Sequence, residues 1–238
     1  RGWRVLVHHG RSAAEAQALV AELRQAGTPA DTLAADLARP EEVATLVPRA
    51  AAVFGRLDAL INNASLFEPD TGLDPDPALL AQQQQVNLNA PLLLTAALAR
   101  HCRDRGVTGA AIHVLDQKVH NLNPDYFSYT IGKLALAQAV RLQAQSLAPH
   151  LRVNGVLPGL LYLSGPQTPE NFAWAGRQNL LGRPIEPADV ARAAADLVAN
   201  PAVTGTLLNV DNGQHLLPQA RDVMFLSPDD AGAAGAPA

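Results

Sequence analysis

Short apolar runs alternate along the chain with longer segments in which apolar residues recur at helical spacing. WRVLVHH (3–9) has the pattern of a buried strand, and the Ala-rich segment 12–26 that follows has the pattern of a helix. The same succession predicts further strands in 28–37, 57–62, 109–115, 151–157 and 206–212, and further helices in 41–54, 77–105, 124–147 and 186–200. Such alternation is typical of a parallel sheet with helices on both faces. It predicts a doubly wound, mostly parallel, Rossmann-like α/β fold in three layers.

Length and composition agree with one α/β domain, which we expect over residues 1–227, followed by a disordered Ala-, Gly- and Pro-rich tail over 228–238. The net charge of −4 and the lack of basic clusters argue against nucleic-acid binding, and the apolar runs are too short for a membrane span. The single cysteine, Cys102, excludes an internal disulfide. This favours a reducing, cytoplasmic location, although a secreted protein can also lack disulfides.

Three polar residues carry the candidate chemistry. Tyr129 and Lys133 lie four positions apart in a predicted helix and so share one face of it. Asp116 follows the predicted strand 109–115, and the carboxyl ends of strands are where open α/β sheets bind ligands. A cation beside a phenol lowers its pKa, so we expect Lys133 to make Tyr129 a general acid. The spacing alone is weak evidence, because such pairs are more often solvated helix faces.

Five motifs in a fixed order resemble those of the short-chain dehydrogenase/reductase family. They are NNAS (62–65), Asn87 within QVNLNAP, YTIGK (129–133), RVNGVLPG (152–159) and TGTLLNVDNG (204–213). Most members carry serine where this chain has Asp116, whereas the pteridine reductase branch, which includes dihydromonapterin reductases, carries aspartate. The resemblance implies NADPH-dependent reduction of a pterin-type ring, with Asp116 and Tyr129 delivering the proton. Asn87 would contribute to a proton relay through water and Lys133, unless it is only a polar kink residue.

The segment after the first strand bears on the cofactor. Arg11 and Ser12 occur where an NAD-binding fold has an acidic residue, which favours NADP(H). Ser12 with Glu15 also reads as a capping box. His8 and His9 do not predict a metal site, since neighbouring strand residues face opposite sides. Asp36 would reach the adenine or, nearly as well, cap a turn. The cofactor-binding residues implied by the resemblance are His8, Arg11, Ser12, Asp36, Asn62, Ala64, Ser65, Tyr129, Lys133, Pro158 and Gly159.

Substrate contacts are expected from aromatic residues that follow strands. Phe67 would cover a flat ring, as the matching aromatic of pteridine reductases does, or would fill the core. Residues 167–181 are predicted to form a lid, with Phe172 and Trp174 able to close over substrate or to pack inward. The implied substrate-binding residues are Ser65, Phe67, Asp116, Tyr129 and Trp174. The long helix 124–147 is apolar on more than one face, so a subunit interface is expected, and the family resemblance implies a homotetramer.

The beginning of the chain departs from the family pattern. We find no glycine-rich turn that could receive a pyrophosphate, because Gly155 and Gly159 flank Pro158 with no helix behind them. We therefore expect the family's first strand, turn and helix to be missing, which would leave two sheet edges unpaired. Two other functions stay open: a reductase of a ketone or acyl thioester, in which Asp116 only orients substrate, and a truncated interaction fragment without catalysis.

Overall fold

A computed structural model describes residues 2–227, so the tail predicted over 228–238 lies outside the described residues. All strand pairs in it are parallel. They form a sheet in the order β1-β2 and a second sheet in the order β3-β4-β5-β6. The strands are β1 (Val5–His9), β2 (Ala30–Ala34), β3 (Ala59–Asn62), β4 (Gly109–Val114), β5 (Leu151–Pro158) and β6 (Leu207–Val210).

The five predicted helical segments are helical with shifted ends, and a further short helix lies in the segment 167–181 that is predicted as a lid. They are α1 (Ala13–Gln25), α2 (Pro40–Phe54), α3 (Pro77–Gln84), α4 (Ala90–Asp104), α5 (Phe127–Leu147), α6 (Pro169–Ala175) and α7 (Pro187–Ala199). One π-helical turn, Gln85–Asn89, interrupts the segment predicted as 77–105. α5 begins at Phe127 rather than at Pro124, because Tyr126 has a left-handed backbone (φ 56°). No helix within residues 2–227 is long and apolar enough to cross a membrane.

Helices cover both faces of the larger sheet. Leu98 and Cys102 of α4 pack with Val153 of β5 on one face. On the other face, α7 packs Val190, Ala194 and Leu197 against Ile112 of β4 and Val156 of β5. β4 and β5 are therefore buried on both sides, which explains why consecutive residues of each strand are buried, with His113 and Asn154 among them. The predicted three-layer, Rossmann-like α/β fold is confirmed.

The two sheets are separated by a cavity of about 750 Å³. β1 lines one side of it through Leu6, β3 lines the other through Leu60, and Leu94 of α4 and Leu46 of α2 add apolar surface. Within residues 2–227 no strand lies between β1 and β3. The edges of both sheets therefore face one apolar space. That a first strand, turn and helix are missing stays a prediction.

Candidate active site

The carboxyl end of β4 and the first turn of α5 bring Asp116 and Tyr129 together. The Tyr129 hydroxyl donates to Asp116 Oδ2 at 2.9 Å, across 13 positions of sequence. Asp116 also caps the short 3₁₀ turn Gln117–Val119, where its Oδ1 accepts from Lys118 N at 2.8 Å. Both carboxylate oxygens are thus held by donors, so the orientation of the carboxyl group toward the phenol is determined by two contacts.

Burial controls the proton affinity of this pair. Desolvation raises the pKa of Asp116 from its usual 3.8, more than the hydrogen bonds from Lys118 N and Tyr129 lower it. Desolvation, followed by the charge of Asp116, raises the pKa of Tyr129 well above 10. The expectation that Lys133 lowers the pKa of Tyr129 is wrong for this arrangement. A buried phenol that donates a hydrogen bond to a carboxylate keeps its proton. The pKa of Asp116 and the pKa of Tyr129 therefore depend on each other.

Lys133 lies one helical turn beyond Tyr129 and is 4% exposed. Its Nζ donates to Val114 O at the end of β4 at 2.7 Å and lies 5.5 Å from the centre of the Tyr129 ring. Burial lowers the pKa of Lys133 to about 8. An ammonium group has three N–H donors, and the Val114 contact uses one of them. Lys133 is therefore placed to donate to a further group in the crevice.

Asn87 lies in the π-helical turn and is 1% exposed. Its amide forms a clamp on the loop after β3: Oδ1 accepts from Leu66 N at 2.8 Å and from Ser65 Oγ at 3.2 Å, and Nδ2 donates to Leu66 O at 2.8 Å. Asn87 thus holds the Ser65 hydroxyl and the backbone of Leu66 in place. π-Helical turns occur frequently at functional sites. The proton-relay role of Asn87 stays a prediction, since its amide is occupied by the loop.

At the carboxyl end of β3, the Asn62 side chain points into the core. Its Nδ2 donates to Thr95 Oγ1 at 3.1 Å and lies 3.2 Å from His113 Nδ1. Burial lowers the pKa of His113 to about 4, so this imidazole is neutral. His113 was not singled out by the sequence patterns, because an isolated histidine in an apolar strand gives no signal. Ala64, two residues after Asn62, lines the cavity between the sheets.

The residues expected near the adenine end of a cofactor lie after β1 and β2. Arg11 and Ser12 are exposed, and Ser12 makes no capping hydrogen bond to α1, so the capping-box prediction is wrong. The His8 ring contacts Ala35 O at 2.9 Å, and burial lowers its pKa. Asp36 Oδ1 accepts from Ala38 N at 2.9 Å, which is the turn-capping geometry. The exposed side chains of Arg11 and Ser12 are therefore accessible to a ligand at the carboxyl end of β1.

A pocket of about 250 Å³ lies beside the Asp116–Tyr129 pair. Phe67 forms one wall, where it stacks on Tyr126 with ring centres 3.8 Å apart and meets Tyr129 edge-on at 4.7 Å. Gly159, just after β5, also lines it. Trp174 is half-buried on α6 and is not among the residues that line this pocket. Of the three aromatic candidates, Phe67, Phe172 and Trp174, only Phe67 lines the pocket beside Asp116 and Tyr129.

The C-terminal segment supplies an unpredicted wall. Asp222, Val223 and Met224 line the pocket. Lys118, only 2% exposed, holds this segment through an ion pair from its Nζ to Asp222 Oδ2 at 3.0 Å. Tyr126 OH donates to Met224 Sδ at 2.8 Å. The pairing of Lys118 with Asp222 spans 104 positions, and no local pattern relates residues so far apart.

An aspartate, a tyrosine and a lysine lie at one end of a parallel sheet in this fold. Comparison with known families agrees with this arrangement. A family model described as enoyl-(acyl carrier protein) reductase matches residues 1–215. The chain belongs to this family of short-chain dehydrogenases/reductases.

Individual relatives are similar over most of their length. A structure of FolM alternative dihydrofolate reductase 1 from Brucella canis, complexed with NADP, is 34% identical with a TM-score of 0.86, covering 96% of this chain and 87% of that one. A dihydromonapterin reductase from Enterobacter sp. (strain 638) is 29% identical over 82% of this chain and 80% of its own length. An uncharacterized oxidoreductase from Mycobacterium tuberculosis (strain CDC 1551 / Oshkosh) is 33% identical over 85% of this chain and 80% of its own length.

Proposed function

We propose that the protein is an NADPH-dependent reductase of a pterin-type substrate. The observation that carries this proposal is the buried hydrogen bond from Tyr129 OH to Asp116 Oδ2 at 2.9 Å, beside a pocket walled by Phe67. A ketone reductase needs one proton donor at an oxygen. A carboxyl group coupled to the phenol suits the protonation of a ring nitrogen next to the carbon that is reduced. The similarity to a dihydromonapterin reductase and to an NADP-bound FolM protein supports the same reading.

Two groups of residues suit the two ends of NADP(H), whereas the glycine-rich turn that would receive the pyrophosphate between them is predicted to be missing. Lys133 has N–H donors beyond the one that Val114 O accepts, and these suit ribose hydroxyls. Arg11 suits the phosphate that distinguishes NADP from NAD, together with Ser12, whose side chain makes no capping hydrogen bond. When bound, NADPH supplies the hydride. His8, Asp36, Asn62, Ala64, Ser65, Pro158 and Gly159 complete the proposed cofactor-binding set.

Proton delivery would depend on the two acids acting as one unit. Because burial raises the pKa of both Asp116 and Tyr129, a proton is retained between them to higher pH than on either group in water. Tyr129 donates to the substrate nitrogen, and Asp116 replaces or shares that proton through the 2.9 Å contact. Lys133 offsets the negative charge left on the pair. Direct delivery from Asp116 would need the same raised pKa.

Phe67 would hold the substrate ring in place. It is fixed by stacking on Tyr126 and by the edge contact with Tyr129, so its orientation is set before a ligand arrives. A planar heteroaromatic ring gains from offset stacking on such a platform. Ser65, whose hydroxyl donates to Asn87 Oδ1, lies two residues before Phe67 on the same loop and would complete the substrate contacts. Trp174 stays a proposed contact that requires movement of α6.

A second candidate is reduction of a ketone or an acyl thioester. The matching family model carries the description enoyl-(acyl carrier protein) reductase. An acetoin dehydrogenase structure from Salmonella typhimurium is 25% identical, with a TM-score of 0.81. In this case Asp116 would orient the substrate and Tyr129 alone would donate the proton.

Steady-state NADPH oxidation by a full-length version of the protein separates the two candidates. Dihydromonapterin and dihydrofolate are assayed beside acetoin and an enoyl thioester. We expect turnover of the dihydropterins and little of the others. The variant Tyr129→Phe removes only the hydroxyl and should abolish turnover while the protein still binds NADPH, measured by fluorescence. Turnover of ketones or thioesters alone would defeat the pterin proposal.

A further inference from the structure

The charged residues that line the substrate pocket are both acidic, and its other polar side chains are hydroxyls and amides, from Tyr129, Tyr162, Ser164, Gln117 and Gln214. Apart from Asp116, the charged residue that lines it is Asp222, and no lysine or arginine lines it among the described residues. Gln117 also lines the pocket. Because both charged residues are acidic, the pocket favours a ligand that presents N–H donors over one that presents a carboxylate or phosphate.

Gln117 provides the independent observation. It is 9% exposed, and its Oε1 is buried with no hydrogen-bond partner within the described part of the chain. Most buried side-chain acceptors are paired, so an unpaired one on a residue that lines a pocket can be satisfied by a ligand donor once its side-chain amide turns toward the pocket. Its position is set by its neighbours in sequence, since Asp116 caps the turn Gln117–Val119 that presents it.

Asp222 lines the same pocket as Gln117, and several hydrogen bonds hold it in place. Its Oδ2 accepts from Lys118 Nζ at 3.0 Å, and its Oδ1 accepts from Met224 N at 3.2 Å. Its backbone N donates to Asp125 Oδ2 at 2.7 Å, and Asp125 is held in turn by Arg221. Each carboxylate oxygen can accept a second hydrogen bond. Asp222 can therefore accept from a ligand without giving up Lys118.

We propose that Gln117 Oε1 and the Asp222 carboxylate form a two-acceptor edge that recognises the N–H groups of the substrate ring. This inference rests on the proposed function and names the part of the substrate that is read. The reacting end of the ring lies at Asp116 and Tyr129, while the amino-bearing end lies at Gln117 and Asp222. Both residues are specificity determinants, with Lys118 as the positioning residue for Asp222.

The test compares two ring substrates that differ only at the recognised end: a 2-amino-4-oxo dihydropteridine and its analogue without the 2-amino group. Gln117→Leu removes the acceptor at similar volume, and Asp222→Asn keeps the shape but removes the charge. We expect each change to lower kcat/KM for the amino-bearing ring about tenfold, as loss of one hydrogen bond does, and to change it less than about twofold for the analogue. Gln145→Leu, at an exposed position of α5, is the matched control and should change neither value.

The outcomes distinguish this inference from the proposed function. Equal losses on both rings, or no loss on either, would overturn the two-acceptor edge, because a merely structural role does not discriminate between substrates. If the wild type turns over neither ring, the proposed function fails. Calorimetric titration of the two rings into the NADPH-loaded protein then still tests the edge. Equal affinities, or no binding of either ring, would overturn it, and a preference of about tenfold for the amino-bearing ring that Gln117→Leu removes would support it.

Discussion

Replacement of Lys133 by methionine should stabilise the protein while removing its activity. Burial lowers the pKa of Lys133 from 10.5 to about 8. Keeping this group charged at neutral pH therefore costs about 3 kcal/mol, at about 1.4 kcal/mol for each tenfold change in proton affinity. Its hydrogen bond to Val114 O returns about 1 kcal/mol. Methionine fills similar volume without charge, so we expect the free energy of unfolding at pH 7 to rise by about 2 kcal/mol.

The pH dependence of this effect has a definite sign. The unfolded chain holds the Lys133 proton up to pH 10.5, and the folded protein releases it near pH 8. Between these values the unfolded state binds more protons, so Lys133 makes wild-type stability rise with pH across this window. The gain in the free energy of unfolding from Lys133→Met is therefore full below pH 8 and is lost by about pH 10.5. Urea unfolding at pH 7 and at pH 10 measures both ends.

Lys118→Met is the matched control, since the chain has two lysines and both are buried. Lys118 pairs with Asp222 at 3.0 Å, so its removal leaves that carboxylate unpaired and should destabilise the fold by about 3 kcal/mol. NADPH oxidation by Lys133→Met should fall at least 100-fold, an order of magnitude typical of groups that assist proton transfer. A destabilised Lys133→Met variant, or a stability gain that does not shrink toward pH 10, would refute the reasoning.

Three further changes test other parts of the molecule. Asp116→Asn should lower kcat about 100-fold with little change in KM. Wild-type activity should decline as pH rises through the raised pKa of Asp116, and the variant should lack this decline. A kcat within threefold of wild type would contradict the prediction. Arg11→Glu should raise KM for NADPH about tenfold and leave KM for NADH nearly unchanged, and equal effects would argue against a phosphate contact. Leu142, on α5, is 65% exposed, so Leu142→Glu should lower the molar mass measured by light scattering if α5 forms the predicted subunit interface. Leu73→Glu, in a loop and 95% exposed, is its control.

The convergence of Asp116 and Tyr129 could be predicted because both positions follow from local rules. A strand ends at Asp116, a helix carries Tyr129 and Lys133 on one face, and parallel strands bring their carboxyl ends to one edge. The 2.9 Å contact between the two side chains confirms that placement. The predicted direction of the Tyr129 pKa shift was wrong, because the spacing shows the nearby cation but not the extent of burial.

Other parts of the site depend on partners that are distant in sequence. Asp222 reaches the pocket only because Lys118 and Asp125 hold the C-terminal segment across about a hundred positions. The amide of Asn87 is occupied by Leu66 in a different element. No periodicity in the sequence encodes either contact, since each is made when separate segments pack together.

The sequence by itself therefore determined the order of strands and helices, the parallel sheet and the edge at which polar residues meet. These features follow from side-chain periodicity and backbone preference, which act over a few residues. Only the tertiary structure decided which acids are buried, which acceptors lack a partner and which segment walls the pocket. Desolvation and pairing depend on every element packed around a group, and Asp116 and Gln117 acquire their properties from that enclosure.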